Sequence, residues 1–318
     1  MNTKLTKLLG LEHPILNAPM APQAGGALAA AVSRAGAFGM LGFDYGETAE
    51  SLAEQVALVR AEVAGQFGIG LTNWVVERRP ELTELALSAN PKLVSFSFGD
   101  PKPFVARFHD AGILVAAQVQ SKAWMTSALA AGVDIIVAQG TEAGGHTGSV
   151  GTLPMLQIAL EMAGDLPVVA AGGIATGRGL AAVLAAGASG AWVGTPFLLA
   201  REARTNDAAQ QRLIESDETQ TVLTSVFDRV QNLPWPDEFR GRALRNAFTE
   251  RWDAHEDEIS DTARASFQVA RKAHDYSVAH LYAGQSVGLA RRVESAVEIV
   301  HRISGEAAER LRAVAALL

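Results

Sequence analysis

The chain has 318 residues, 48% of them apolar and 19% charged, which excludes a globally disordered state and supplies a large buried core. Lys and Arg number 27 against 34 Asp and Glu, and the net charge of -7 argues against a general nucleic-acid binder. The absence of cysteine removes disulfides, thiolate metal sites and cysteine catalysis.

No segment approaches the ~18–20 unbroken apolar residues of a membrane helix. The opening segment carries two lysines, and Glu12 and His13 interrupt it before a secretory h-region can form. The expectation is a soluble cytoplasmic protein with no membrane or nucleic-acid partner.

Short apolar runs recur at 15–20, 38–43, 67–72, 93–98, 114–119, 135–140, 168–173 and 191–195. They are bounded by Gly or Pro and lack polar alternation, as strands buried on both faces of a parallel sheet should. Alanine-rich segments between them predict helices over 24–35, 47–64, 79–88, 103–110, 122–131, 154–163 and 177–186. Ala35-Gly36, Ala111-Gly112, Ala131-Gly132 and Ala186-Gly187 read as helix stops. Eight βα units predict a (β/α)8 TIM barrel; a doubly wound open sheet is the competitor. Residues 201–280 hold acids, Arg, Gln and Trp without a strand-like run. They read as a helical insertion after strand eight, covering the barrel mouth. Residues 1–200 and 283–318 then form the barrel, with the last segment supplying its closing helices.

The chemistry concentrates at the ends of the last three runs. The sixth enters Gln139-Gly140-Thr141-Glu142-Ala143-Gly144-Gly145-His146, where glycines let the backbone approach a ligand closely. The seventh ends in Ala171-Gly172-Gly173-Ile174, with Gly177-Arg178-Gly179 opening a helix, and the eighth ends in Trp192-Val193-Gly194-Thr195. In such barrels these last two loops form phosphate sites from backbone N–H groups and a helix N-terminus. Gly172, Gly173, Gly194 and Thr195 suit that role, and tight βα turns are the alternative use of the same glycines. His146 is the one histidine of seven in a glycine-rich loop at a strand end. It reads as a general base or as a residue that only shapes the turn. The other histidines lack metal-ligand spacing, and no metal is expected. Gly148-Ser149-Val150-Gly151 lacks a nucleophile elbow, and Gly68-Ile69-Gly70 is too short for a dinucleotide fingerprint.

Together with Pro14-Ile15-Leu16-Asn17-Ala18-Pro19-Met20, these motifs occur in the order found in nitronate monooxygenases, also called 2-nitropropane dioxygenases, and the chain resembles that family over roughly its first two hundred residues and again near 282–289. The resemblance implies a barrel binding FMN non-covalently without a metal. Ala18, Pro19, Met20 and Ala21 would lie against the isoalloxazine ring through their backbone. Gln139, Gly144 and Gly145 would contact the flavin from the sixth-strand loop. Gly172, Gly173, Trp192, Val193, Gly194 and Thr195 would hold the phosphate end. His146 would be catalytic, and a nitronate with oxygen would yield a carbonyl compound and nitrite.

Two positions depart from the family. An asparagine usually follows its Phe-Gly-Val; here Phe67-Gly68-Ile69-Gly70 precedes Asn73 by three residues. A lysine often ends the fifth strand; here Gln118 and Gln120 stand in that region. Three rival readings keep parts of the same framework. They are an FMN-dependent enoyl-acyl-carrier-protein reductase using NAD(P)H, a flavin-free phosphate-binding barrel, and a non-catalytic ligand-binding protein.

Overall fold

The computed structural model describes residues 1–43 and 45–317. Eight parallel strands form one sheet: β1 (Ile15–Asn17), β2 (Met40–Gly42), β3 (Gly68–Thr72), β4 (Leu93–Ser97), β5 (Leu114–Val119), β6 (Ile135–Gln139), β8 (Val168–Ala171) and β9 (Gly190–Val193). A short strand outside the barrel, β7 (Gly145–Thr147), lies between β6 and β8 in the chain. The sheet order β1-β9-β8-β6-β5-β4-β3-β2 is that of a rolled βα series. A bridge between Leu16 and Phe38 closes the ring between β1 and β2. This excludes the open doubly wound sheet.

One polar side chain extends this closure beyond the backbone bonds of Phe38 with Ile15 and Asn17. Asn17 is fully buried; its Oδ1 accepts from Met40 N–H and its Nδ2 donates to Met40 C=O, both at 2.8 Å. The carboxamide thereby pairs the Met40 N–H and C=O where β1 and β2 diverge and their backbone ladder stops.

The barrel is filled from within by Leu16, Phe38, Met40, Leu93, Ala116, Ile135, Val137, Val169 and Trp192. Leu5 and Leu9 belong to the same cluster and come from an N-terminal helix, Lys4–Leu9, absent from the sequence reading. Thr3 begins this helix with a capping box and Gly10 ends it in a left-handed conformation. Both signals were legible, but six residues make too short a window for apolar periodicity to show. A second apolar layer, including Leu28, Val59, Phe67, Phe108, Leu156 and Leu180, packs the sheet against its helices. Helix Ala296–Ala315 packs between helices Gly177–Ala185 and Gly26–Arg34 and completes that ring. Only one α-helix is described in 283–317, where closing helices in the plural were expected.

The predicted helix stops hold: Gly36, Gly112, Gly132 and Gly187 all adopt positive φ. Strands end earlier than the apolar runs. Phe98, Gly172 and Gly173 already have positive φ, so the chain leaves the ladder to build the mouth.

The segment after β9 corrects the expectation of a region without strands. It contains helices Asp207–Ile214, Val226–Gln231, Ala247–Trp252 and Asp261–Lys272, and also β10 (Thr221–Thr224) and β11 (Arg240–Leu244). These two strands and β7 form a small antiparallel sheet in the order β10-β11-β7. The Arg-Gly-Arg-Ala-Leu sequence of β11 carries little strand character, and pairing with β7 supplies what local propensity does not. Val226, Phe227, Val230, Phe248 and Phe267 give this region an apolar cluster of its own.

Candidate active site

Barrel strands alternate their side chains between the interior and the helix layer. The interior-facing positions of β5 and β6 run from Ala116 to Gln118 and from Val137 to Gln139, so the interior turns polar at the C-terminal end. Gln118 is half-buried there and Gln139 is buried. Gln139 Nε2 donates to the carbonyl of His146, and Gln139 Oε1 accepts from Gln120 Nε2, each at 3.0 Å. Gln120, not Gln118, is therefore the glutamine joined to the His146 loop.

His146 lies on β7, opposite Gly241 of β11. A Cβ on Gly241 would sit 2.8 Å from the Tyr282 ring and 3.5 Å from His146 Nε2, so the glycine permits the close approach. His146 Nε2 lies 3.0 Å from both oxygens of Asp228, on helix Val226–Gln231. The side chains of this pair are only 8% and 5% exposed. Trp235 stacks on the imidazole, and Phe98 and Tyr282 stand 6.2 and 5.7 Å from it, centroid to centroid. Behind this group, His280 is half-buried against Phe227, Phe267 and Tyr282; burial of its ring pushes its pKa down to about 4 and keeps it neutral. Asp228, Trp235 and His280 carry no local sequence signal. They lie 82, 89 and 134 positions beyond His146 in the chain and meet it only through the β7–β11 pairing.

The three glycine-rich loops form one continuous surface. Gly172, at φ +104°, is pressed on the β6 loop: a Cβ there would lie 2.8 Å from Thr152 Oγ1 and 2.9 Å from the Gly140 carbonyl. Gly173, at φ +71°, is exposed beside Glu142. A Cβ on Gly144 would lie 2.6 Å from the Ala283–Gly284 backbone. Gly284 N–H in turn donates to Thr195 Oγ1 at 3.0 Å, and Gln285 N–H to the Glu142 carbonyl at 3.0 Å. The segment 283–285 thus ties the β6 loop to the end of β9. Glu142 accepts from the backbone N–H and hydroxyl of Thr152, fixing the start of helix Thr152–Met162. Arg242 braces the same loop, its Nε donating to the Thr141 carbonyl at 2.7 Å. Burial lowers the Arg242 pKa from its ordinary value, against the opposing pull of Glu142.

The remaining predicted residues take different positions. Ala18 N–H bonds to the Val193 carbonyl at 2.7 Å, linking β1 to β9. Pro19 and Ala21 cross over Gly42 and Gly70, where any Cβ would collide with Pro19. Met20 packs near Gly194. Trp192 fills the barrel interior and Val193 the helix layer, so only their backbone is open to a ligand. Gly145 has φ +74° and open space above its Cα. Asn73 is buried and donates through Nδ2 to the Asp100 carbonyl at 2.8 Å. The first N–H of helix Gly177–Ala185 is engaged within the fold, donating to Glu306 Oε2 at 3.0 Å. The C-terminal helix supplies that carboxylate, which the strand-by-strand reading had no means of placing.

Three buried acceptors cluster by topology. Asn73 Oδ1, Ser95 Oγ and Gln120 Oε1, from the neighbouring β3, β4 and β5 or the residues just after them, have no hydrogen-bond partner among the described residues. Buried polar atoms are rarely left so, and such a set on one side of a barrel mouth is what a polar ligand would satisfy. Among the described residues no helix is long and apolar enough to cross a membrane, and no group of three or more acids and histidines is placed to hold a metal.

The nitronate monooxygenase family model matches residues 2–81 and 78–306. A Mycobacterium tuberculosis protein named (3aS,4S,5R,7aS)-5-hydroxy-7a-methyl-1-oxo-octahydro-1H-indene-4-carboxyl-CoA dehydrogenase is 33% identical over 256 residues, 80% of this chain and 69% of that protein. FabK from Thermotoga maritima overlays with a TM-score of 0.87 at 27% identity, covering all of both chains. Nitroalkane oxidase from Streptomyces ansochromogenes gives 0.81 at 30% identity, covering 98% of this chain and 99% of that one. These likenesses support an oxidoreductase built on a TIM-barrel fold. With the family model matched along nearly the whole sequence, the chain belongs to the nitronate monooxygenase family.

Proposed function

We propose that the protein is an FMN-dependent oxidoreductase that uses oxygen to convert alkyl nitronates, and nitroalkanes after loss of a proton, to carbonyl compounds and nitrite. The observation that carries this reading is the single surface made by the His146 loop and the ends of β8 and β9.

The residues present fit a flavin mononucleotide. Asn73, Ser95 and Gln120 offer unpaired oxygens to the polar edge of a planar ring, with Gln118 and Gln139 beside them. The backbone of Ala18, Pro19, Met20 and Ala21 lies along one wall, held close by the glycines of β2 and β3. Gly144 and Gly145 complete the loop after β6. Gly172, Gly173, Gly194 and Thr195, with the backbone of Trp192 and Val193, would hold the phosphate through N–H groups that no side chain screens. When bound, FMN supplies the two-electron redox chemistry and the reaction with oxygen.

The chain's own part is orientation and proton movement. His146 takes the proton from the carbon beside the nitro group of a neutral substrate, leaving the electron pair on the nitronate; for a substrate already ionised it holds the anion. Phe98, Trp235 and Tyr282 surround the imidazole and keep bulk water from it.

A second reading, reduction of an enoyl thioester by NAD(P)H, is favoured by the whole-chain likeness to FabK and by the thioester in the mycobacterial relative's name. The deciding experiment is an anaerobic visible spectrum of the FMN-loaded protein before and after propyl-2-nitronate. Bleaching that reverses in air supports the first reading. An unchanged band, followed by bleaching with NADH or NADPH and reoxidation by an enoyl thioester, replaces it with the second. No flavin band after reconstitution overturns both.

A further inference from the structure

We propose that Asp228 is a positioning residue for His146: it fixes the imidazole as the Nε2–H tautomer and leaves Nδ1 as the nitrogen that exchanges a proton with substrate. The second clause rests on the reading of His146 given above; the first rests on geometry alone.

Nε2 sits 3.0 Å from each oxygen of Asp228. An ionised carboxylate only accepts hydrogen bonds, so Nε2 must carry the hydrogen that both oxygens share. The pair is nearly sealed from solvent, and a carboxylate withdrawn from water holds its charge there only against a donor. His146 is the donor that reaches Asp228. The other charged groups lining the same cleft are engaged elsewhere, Arg229 with Asp237 at 2.6 Å and Arg240 with Asp253 at 3.6 Å. His280, packed on Tyr282, is neutral and so brings no charge that competes for the carboxylate.

The ring is also held in plane. The Trp235 indole lies 3.4 Å above it at an interplanar angle of 7°, and Gln139 anchors the His146 carbonyl. Nδ1 has no hydrogen-bond partner among the described residues. A fixed tautomer with one engaged and one free nitrogen is what a directed proton transfer requires. The arrangement is built from parts far apart in sequence, since Asp228 belongs to the region after β9 and His146 to the loop after β6.

The test is the two-bond 15N–1H spectrum of histidine-labelled protein, with His146→Gln identifying the resonance. A protonated Nε2 and an unprotonated Nδ1 are expected for His146 in the wild type. Asp228→Asn, whose amide can donate or accept, is expected to give a mixture of tautomers. The FMN-loaded Asp228→Asn enzyme should lose at least tenfold in kcat with KM within twofold, and Asp228→Glu should restore part of that loss. A wild-type Nδ1–H tautomer, or an Asp228→Asn enzyme with unchanged kcat and tautomer, overturns the proposal. If instead His146→Gln turns over every nitronate and enoyl substrate at the wild-type rate, the functional reading fails while the spectrum still decides the Asp228–His146 bond.

Discussion

The indole of Trp235 lies parallel to the imidazole of His146, 3.4 Å away and tilted by 7°. It also meets Phe98 and Trp74 edge-on at 5.1 and 5.4 Å, so one aromatic side chain joins the region after β9 to the rims of β3 and β4. The space over that face of the histidine is therefore limited by Trp235. Trp235→Ala is expected to raise kcat/KM for a bulky nitronate relative to a two-carbon one by about fivefold, a ΔΔG‡ of about 1 kcal/mol. Steady-state rates with a chain-length series measure this. A ratio that does not move removes Trp235 from substrate selection.

Asn17 and Met40 form the seam of the barrel. Asn17→Leu keeps the volume but strands a buried N–H and C=O of β2, at a cost of about 2–4 kcal/mol. Urea unfolding should show a lower midpoint with an unchanged m-value. A midpoint within error of the wild type would mean that the seam contributes nothing.

His280 links stability to pH. Its pKa is about 4 in the fold, lowered by burial and then by Arg271 and His146, against 6.5 as the ordinary value. Between these values the unfolded chain binds a proton that the native state refuses. The contribution is intact above about pH 6.5 and is lost as pH falls toward 4, by up to about 3 kcal/mol at about 1.4 kcal/mol per unit. His280→Phe should therefore flatten the fall in unfolding free energy between pH 7 and pH 4.5. Parallel curves for the two proteins would show that another group carries the acid sensitivity.

The loop glycines separate strain from contact. Gly112 has φ +73° with nothing within 4 Å of an added Cβ, so Gly112→Ala should cost about 1–2 kcal/mol and leave FMN affinity unchanged. Gly172→Ala adds collisions with Thr152 and the Gly140 carbonyl to its backbone strain. Its FMN dissociation constant, read by flavin fluorescence, is expected to rise at least tenfold. Equal affinities for the two variants would detach Gly172 from the cofactor site.

How far the sequence revealed the site depends on the range of the interactions. The barrel strands were legible because burial on both faces makes each a continuous apolar run, and the helix stops because a left-handed residue favours glycine wherever it occurs. His146 and the glycine loops stood out because the residues around them are adjacent in the chain. The N-terminal plug helix was missed through its shortness, although Thr3 and Gly10 marked both its ends.

Sequence by itself determined the βα rhythm, the mouth at the ends of β6, β8 and β9, and the histidine in its loop, since each follows from local pattern. Tertiary structure decided what surrounds that histidine. Asp228, Trp235 and His280 reach it because β11 pairs with β7, and β11 is a strand that its own Arg-rich sequence does not favour. It likewise placed Glu306 at the start of helix Gly177–Ala185 and Gly284 on Thr195. Hydrogen bonds and ring contacts act over a few ångströms in space whatever the separation along the chain, and only the closed barrel brings these residues within that distance.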